Sequence, residues 1–355
     1  MLSPSAVYNL MLNSPTRSFL FDLRPQEAFD AGHILGVTHI PFPLLPPSSS
    51  PSMALKLFED EIRKQQRLQT VIGQWGTVLT LILPENTDVD WDPVQTLLKT
   101  VFKPRKLFVL EPPFSAFHSH YGFVCTPKPM MDNHDLLIES LPNEIVPGLF
   151  LGGSPLSDSV KFFESMHITH IINCMERDDY PIPPGVQRLE LDLDDVPSQQ
   201  IQFEPALDLL EKVFNMTETE VRDHLKTIPH LSPIVETLLN DSTSVQTPFP
   251  YFPNGIRVFV HCYVGMSRSA SVVIAFLIRK YRLSPINALR MCKIQRNIVR
   301  PNDGFVRQLC QFWINEGEPD EPPPTFNSLE APTTINLVEN IFTRALAYTR
   351  EKNAS

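Results

Sequence analysis

The chain has 355 residues and a formal charge of −10, with 42% apolar and 20% charged residues. That length suits two domains with real cores, and the acidic balance argues against nucleic acid as the main partner. No apolar run approaches the roughly 18 residues that span a bilayer, so no membrane partner is expected.

The opening, MLSPSAVYNLMLNSP, lacks the basic-then-apolar order of a secretory leader. Ser18 to Leu23 (SFLFDL) reads as a short buried strand, RPQEAFDAGH as a helical stretch and HIPFP as an extended piece. Pro41 to Pro51 is a Pro/Ser-rich loop. Ala54 to Leu68 reads as a charged helix with an apolar stripe. Thr77 to Leu83 (TVLTLIL) reads as a fully apolar strand, Asp92 to Phe102 as a helix and Leu107 to Leu110 as a strand. Strand, helix and strand recur, so residues 1–125 are expected to form one domain. Residues 126–142 read as a linker, interrupted by Pro and polar residues.

A second domain is expected over 143–316. NEIVPGLFLGG gives two extended pieces, Ser157 to Met166 a helix, and Thr169 to Cys174 and Arg188 to Leu193 two strands. Ile201 to Phe214 is an amphipathic helix. Residues 216–253 are polar and Pro-broken, and read as an insertion. Arg257 to His261 (RVFVH) is a strand, and Arg268 to Tyr281 a helix apolar enough to be buried. Ser284 and Asn302 are candidate caps of the next two helices, with Pro285 in the first position of one. Residues 317–334 form an acidic, Pro-rich linker. Residues 335–350 form a last helix with Ile335, Val338, Ile341, Phe342, Ala345 and Leu346 on one face, turned to the body or to a partner. The expected fold class is α/β, each domain a mostly parallel sheet covered by helices.

The five cysteines are Cys125, Cys174, Cys262, Cys292 and Cys310. An odd count without a CxxC pair predicts neither a disulfide framework nor a zinc site. A reducing setting, cytoplasmic or nuclear, follows. Cys174, Cys292 and Cys310 lie on apolar faces and read as core thiols, with Cys174 alternatively a disulfide partner for an oxidised Cys262.

Cys262 stands apart. It ends a strand and is followed by Tyr263, Val264, Gly265, Met266 and Ser267 before a helix begins at Arg268. A tight loop there aims backbone N–H groups at one point, and the helix N-terminus adds more. Together they form an anion cradle. Such surroundings lower a thiol's pKa, and Arg268 supplies two parallel donors for phosphate oxygens. The thiolate is then a nucleophile toward phosphorus. Ser269 is placed to donate to the sulfur, and His261 to brace the loop. The proton for the leaving oxygen would come from Asp192, Asp194 or Asp195 in LDLDDVPSQQ. Asp195, before the Val196-Pro197 turn, is the preferred acid, with Asp194 second.

These residues resemble the dual-specificity phosphatases. HCYVGMSRS fits the HC-x5-R-S/T signature, and NEIVPGLFLGG, ITHIINC, LDDVPSQQI and IVRPNDGFVRQL are similar to the family's blocks in order and spacing. The resemblance implies Cys262 as nucleophile, Arg268 as phosphate ligand, Asp195 as general acid, Ser269 as donor to the leaving thiolate, and Asn302 as a support of the loop. It implies no cofactor and no metal. The first region is similar to a rhodanese-type domain through FLFDLRPQEAFDAGHILGVTHIPFP and KLFVLEPPFSAFHSHYGFVC. Pro84-Glu85-Asn86-Thr87-Asp88 stands where a sulfurtransferase needs its cysteine, so that domain is expected to be inactive.

The pairing resembles MAP kinase phosphatases and their catalytically dead relatives, which implies a phosphorylated protein substrate, a MAP kinase among the candidates. The kinase-docking arginine cluster is not evident, because Lys56, Arg63, Lys64 and Arg67 alternate with Glu59, Asp60 and Glu61. The leading expectation is a phosphatase for phosphotyrosine and phosphoserine or phosphothreonine. The alternative is a phosphoprotein-binding, weakly active or inactive regulatory module in kinase signalling. A lipid phosphatase ranks below both, since Tyr263 to Ser267 carry no cation.

Overall fold

The computed structural model describes residues 1–43, 51–64, 77–85, 89–111, 113–127, 140–154, 159–176, 180–216, 220, 223–224, 227, 255–318 and 335–354, with backbone alone at 51, 159, 335–340, 353 and 354. The chain divides into two compact units, Met1–Glu139 and Ser140–Ser355.

The first unit opens with a helix that the sequence reading did not single out, α1 (Pro4–Asn13), capped by the Ser3 hydroxyl and carrying Pro at its start. There follow β1 (Ser18–Asp22), α2 (Gln26–Ala31), β2 (Thr38–His39), α3 (Pro51–Lys64), β3 (Val78–Ile82), α4 (Asp92–Phe102), β4 (Lys106–Val109) and α5 (Phe114–Tyr121). The four strands run parallel in the order β2-β1-β3-β4. Phe21, Leu79, Leu81, Phe58, Leu98 and Phe102 form the core between the sheet and helices α3 and α4. HIPFP does not pair as a unit. The regular strand ends at His39, while the N–H groups of Ile40 and Phe42 still donate to the Asp22 and Leu23 carbonyls at 2.9 and 3.1 Å and Pro41 and Pro43 have none to donate.

Thr126, read as the start of a linker, is built into this unit. Its N–H donates to the His33 carbonyl at 2.8 Å, and its hydroxyl accepts the His33 N–H at 3.0 Å. Residues 128–139 of the linker lie outside the described residues. Leu141, at the other end, is 3% exposed and belongs to the second core.

The second unit contains β5 (Asn143–Val146), β6 (Leu149–Gly152), α6 (Ser159–Ser165), β7 (His170–Asn173), β8 (Gln187–Glu190), α7 (Glu204–Phe214), β9 (Val258–His261), α8 (Arg268–Tyr281), α9 (Pro285–Gln295), α10 (Asp303–Asn315) and α11 (Ile335–Ala354). The sheet order is β5-β6-β9-β7-β8, with only the β5–β6 pair antiparallel. β9 is therefore central, in register with Gly152 of β6 and Asn173 of β7 at His261. α8 is buried from Ser269 to Ile278, as its apolar sequence predicts.

Ser284 occupies the cap position of α9, but its side chain makes no capping hydrogen bond. The Asn302 side chain does cap α10, accepting from Phe305 N–H at 3.0 Å. The face of α11 turns to the body: Phe342 is fully buried, and the Arg350 guanidinium lies 5.4 Å over the Trp313 ring. Most of the 216–253 insertion and residues 319–334 lie outside the described residues.

Candidate active site

The site sits at the carboxyl end of β9. In an open α/β sheet this is where strand ends leave a crevice for a ligand. Cys262 is the first residue past the strand and is 2% exposed. The chain then curls through Tyr263 to Ser267 into the first turn of α8. Gly265 makes the curl with φ at +73°, and a Cβ there would lie 2.3 Å from the Gly152 carbonyl group. Only glycine combines that backbone with that approach. Gly153 closes the same side, its own Cβ position 3.1 Å from the Tyr263 carbonyl oxygen. Tyr263, Val264 and Met266 turn their side chains outward, at 74%, 46% and 37% exposure, and form the rim.

Donors converge on the sulfur. The Ser269 hydroxyl lies 3.2 Å from Sγ and the Gly265 N–H 3.3 Å. Burial pushes the Cys262 thiol up, but hydrogen bonds from the Ser269 hydroxyl and from the N–H groups of Ser269, Gly265 and Val264 outweigh it. The net shift is below the ordinary thiol range. Arg268 donates through Nη1 to the Leu193 carbonyl at 3.0 Å, which ties it to the acid loop. Its Nε is buried and without a hydrogen bond among the described residues. A buried guanidinium nitrogen lacking an acceptor is costly, and a phosphate oxygen in the cradle would satisfy it.

Of the three candidate acids, the fold brings Asp195 to the loop. Its Oδ1 accepts from the Ser267 hydroxyl at 2.6 Å and from Asn302 Nδ2 at 2.9 Å. The Asn302 N–H donates in turn to the Ser267 hydroxyl at 3.1 Å. Asp192, at φ +48°, and Asp194 are exposed, and neither is hydrogen-bonded to the loop among the described residues. Asn302 thus binds the acid, touches the loop through Ser267 and caps α10.

The His261 ring lies under the loop between Tyr180 and the Cys262 backbone. Its Nε2 pairs with the Tyr180 hydroxyl at 2.6 Å, while its backbone carbonyl accepts from Cys174 N–H at 2.9 Å. Burial pushes the imidazole down to about 4, with the Cys262 backbone opposing and Arg188 assisting. A neutral, buried ring is a spacer under the loop rather than a base. Cys174 is fully buried beside Cys262; burial and then the neighbouring sulfur hold its thiol well above the ordinary range.

Sequence reasoning missed the outer brace. Arg296 donates through Nε to the Gly265 carbonyl at 3.0 Å, through Nη2 to Val264 at 2.9 Å and through Nη1 to the Asn143 side chain at 2.7 Å. With its carbonyls pulled outward, the loop keeps its N–H groups turned in. The only signal was an arginine in QRNIVRPN, indistinguishable by itself from a surface cation. Gly304 was missed too: a Cβ there would lie 1.9 Å from the Pro197 carbonyl oxygen, so α10 packs directly on the acid loop.

A thiol of lowered pKa in an anion cradle, with an orphaned arginine donor and a carboxylate alongside, suits cysteine-dependent phosphoester chemistry. Residues 149–315 match the dual specificity phosphatase catalytic domain family. A probable rhodanese domain-containing dual specificity protein phosphatase of Dictyostelium discoideum is 24% identical over 86% of this chain and 67% of its own length. A putative tyrosine phosphatase of invertebrate iridescent virus 6 is 45% identical over 23% of this chain and 52% of its own. Dual specificity protein phosphatase MPK-4 of Drosophila melanogaster is 30% identical over 48% of this chain and 35% of its own. The C-terminal unit is accordingly a dual-specificity phosphatase domain, and a rhodanese-like region precedes it.

Proposed function

We propose that the chain removes phosphate from phosphotyrosine and from phosphoserine or phosphothreonine in proteins, through a phosphocysteine on Cys262. The orphaned Arg268 Nε beside a donor-ringed thiol carries this reading. The Cys262 thiolate forms a bond to phosphorus as the ester P–O bond breaks. The leaving oxygen takes its proton from the Asp195 carboxyl group. Water then attacks phosphorus, Asp195 takes its proton, and the S–P bond breaks with the Ser269 hydroxyl donating to the departing sulfur. The uncharged rim, Tyr263, Val264 and Met266, favours protein side chains over polyanionic head groups.

A module that only captures phosphoproteins has no use for a carboxylate at the cradle, so the contacts of Asp195 favour turnover. The rhodanese-like unit has Leu83-Pro84-Glu85 after β3, with no thiol there, which supports a non-catalytic role. On α3, Arg63 pairs with Glu59 at 2.5 Å and Lys64 with Glu61 at 3.7 Å, so these two cations are partnered within their own helix. That arrangement speaks against α3 as a MAP kinase dock; Arg67 lies outside the described residues. All five cysteines are free, which supports a reducing, cytoplasmic or nuclear, setting.

Hydrolysis of a small aryl phosphate and of doubly phosphorylated peptides tests the proposal. Cys262→Ser is expected to show no turnover. Asp195→Ala is expected to lose about 10²–10⁴ on peptides and less on the aryl phosphate, whose leaving group needs less protonation. A folded wild-type chain that turns over neither substrate would refute the reading.

A further inference from the structure

Helix α11 lies beyond the matched catalytic family region, which ends at 315. Between it and α10 lies a cleft of about 540 Å³, lined by Asp303, Arg307, Ile341, Arg344, Ala345 and Tyr348. Arg307 and Arg344 face it from opposite helices. Both are exposed, and neither makes an ion pair or hydrogen bond among the described residues. Their one acidic neighbour in the lining is Asp303. The floor is apolar through Ile341 and Ala345, and Tyr348 is 58% exposed. On a chain of net charge −10, two guanidinium groups unpaired among the described residues, over an apolar floor, form a local exception.

The cleft is joined to the catalytic machinery. α10 presents Asn302, Gly304 and Gln308 to the acid loop: Asn302 binds Asp195, Gly304 abuts Pro197, and Gln308 bonds Ile201 N–H and the Gln199 carbonyl. Arg307 lies five residues past Asn302, about 7.5 Å along the helix axis. Arg300, exposed as well, donates its N–H to the Met266 carbonyl at the loop rim. Arg300 and Arg307 thus flank the start of α10 in sequence, whereas the residues between Cys262 and Arg268 carry no cation. A peptide whose phosphorylated side chain enters the cradle would reach the cleft with a few extended residues, at about 3.3 Å each.

We propose that the α10–α11 cleft docks an acidic segment of the protein substrate, with Arg307 and Arg344 gripping its carboxylates and Ile341 and Tyr348 covering an apolar side chain between them. Guanidinium forks suit carboxylates, and steering by such a patch raises encounter rates more than it alters chemistry. This deepens the phosphatase reading and rests on it only for the consequence on turnover.

Two measurements separate the two claims. Fluorescence anisotropy of full-length Cys262→Ser with a fluorescein-labelled peptide of glutamates around one leucine reads the cleft alone. Arg307→Glu with Arg344→Glu is expected to weaken binding about tenfold or more, and 0.5 M salt to weaken it similarly. In the active background, the double variant is expected to keep aryl phosphate kinetics. KM should rise about tenfold, with kcat unchanged, on a phosphotyrosine peptide flanked by glutamates. If the double variant unfolds, Arg344→Ala on α11 gives the same reading with a smaller shift. Equal binding by wild type and variant, or no binding by either, overturns the proposal. Absent aryl phosphate turnover would overturn the phosphatase reading and leave the binding result to judge the cleft.

Discussion

Cys262 is nearly fully buried, and burial alone would push its thiol's pKa up. Four hydrogen bonds reverse that, and one of them belongs to a removable side chain, Ser269. Hydrogen bonds to a charged group are worth about 1.5–3 kcal/mol, so Ser269→Ala is expected to slow turnover about 10–100-fold. The direction of the pH effect follows. Losing a donor to the thiolate raises the thiol's pKa, so the acid limb of kcat/KM moves to higher pH. A pH–rate profile in which that limb stays put would show that the backbone N–H groups suffice. Arg296 works differently, by holding the loop's carbonyls outward.

At the scale of elements, the acid loop owes its place to α10. Gly304 allows the helix to meet Pro197 backbone to backbone, and Gln308 pins Gln199 and Ile201 from the next turn. A methyl group at 304 would meet backbone rather than a side chain that can swing away. Gly304→Ala is therefore expected to shift the loop and displace Asp195. Peptide turnover should fall about tenfold or more, the cost of a misplaced proton donor. Iodoacetate should still alkylate Cys262 at the wild-type rate, because the cradle itself is untouched; a parallel loss of alkylation would place the damage in the loop instead. The element boundaries here were legible where the signal is local. α8 spans Arg268–Tyr281 as its apolar run predicts, because a buried helix is written continuously. α1 escaped notice although Ser3 and Pro4 carry a local start signal.

For the molecule as a whole, two buried histidines tie stability to pH. Burial, with lesser help from His224 and Lys212, pushes His170 down to about 3; His261 is down to about 4. Both stay neutral in the folded unit at pH values where an unfolded chain, with a pKa of about 6.5, takes up protons. Unfolding therefore binds protons between about pH 6.5 and 4. The stability these groups confer is present above 6.5 and lost as pH falls toward 4 and then 3. Denaturant midpoints for the C-terminal unit are expected to drop from pH 7 to pH 5. His261→Gln should flatten part of that slope, and an unchanged slope would assign it to other groups.

What the sequence determined by itself is the cradle. Strand, cysteine, glycine, arginine and helix fall within some dozen consecutive residues, and short-range sterics and hydrogen bonding shape them. The sequence preferred Asp195 among the acids, and the tertiary structure supplied what binds that carboxylate and what holds the cradle open. Asp195 and Ser267 are 72 residues apart, Asp195 and Asn302 are 107, and Arg296 and Asn143 are 153. Locally, Asp195 is set apart from Asp194 only by its place directly before Val196-Pro197, a weak preference between two polar residues beside one turn. The choice is made by the packing of α10 against the acid loop, and such long-range contacts exist only once the whole core has closed.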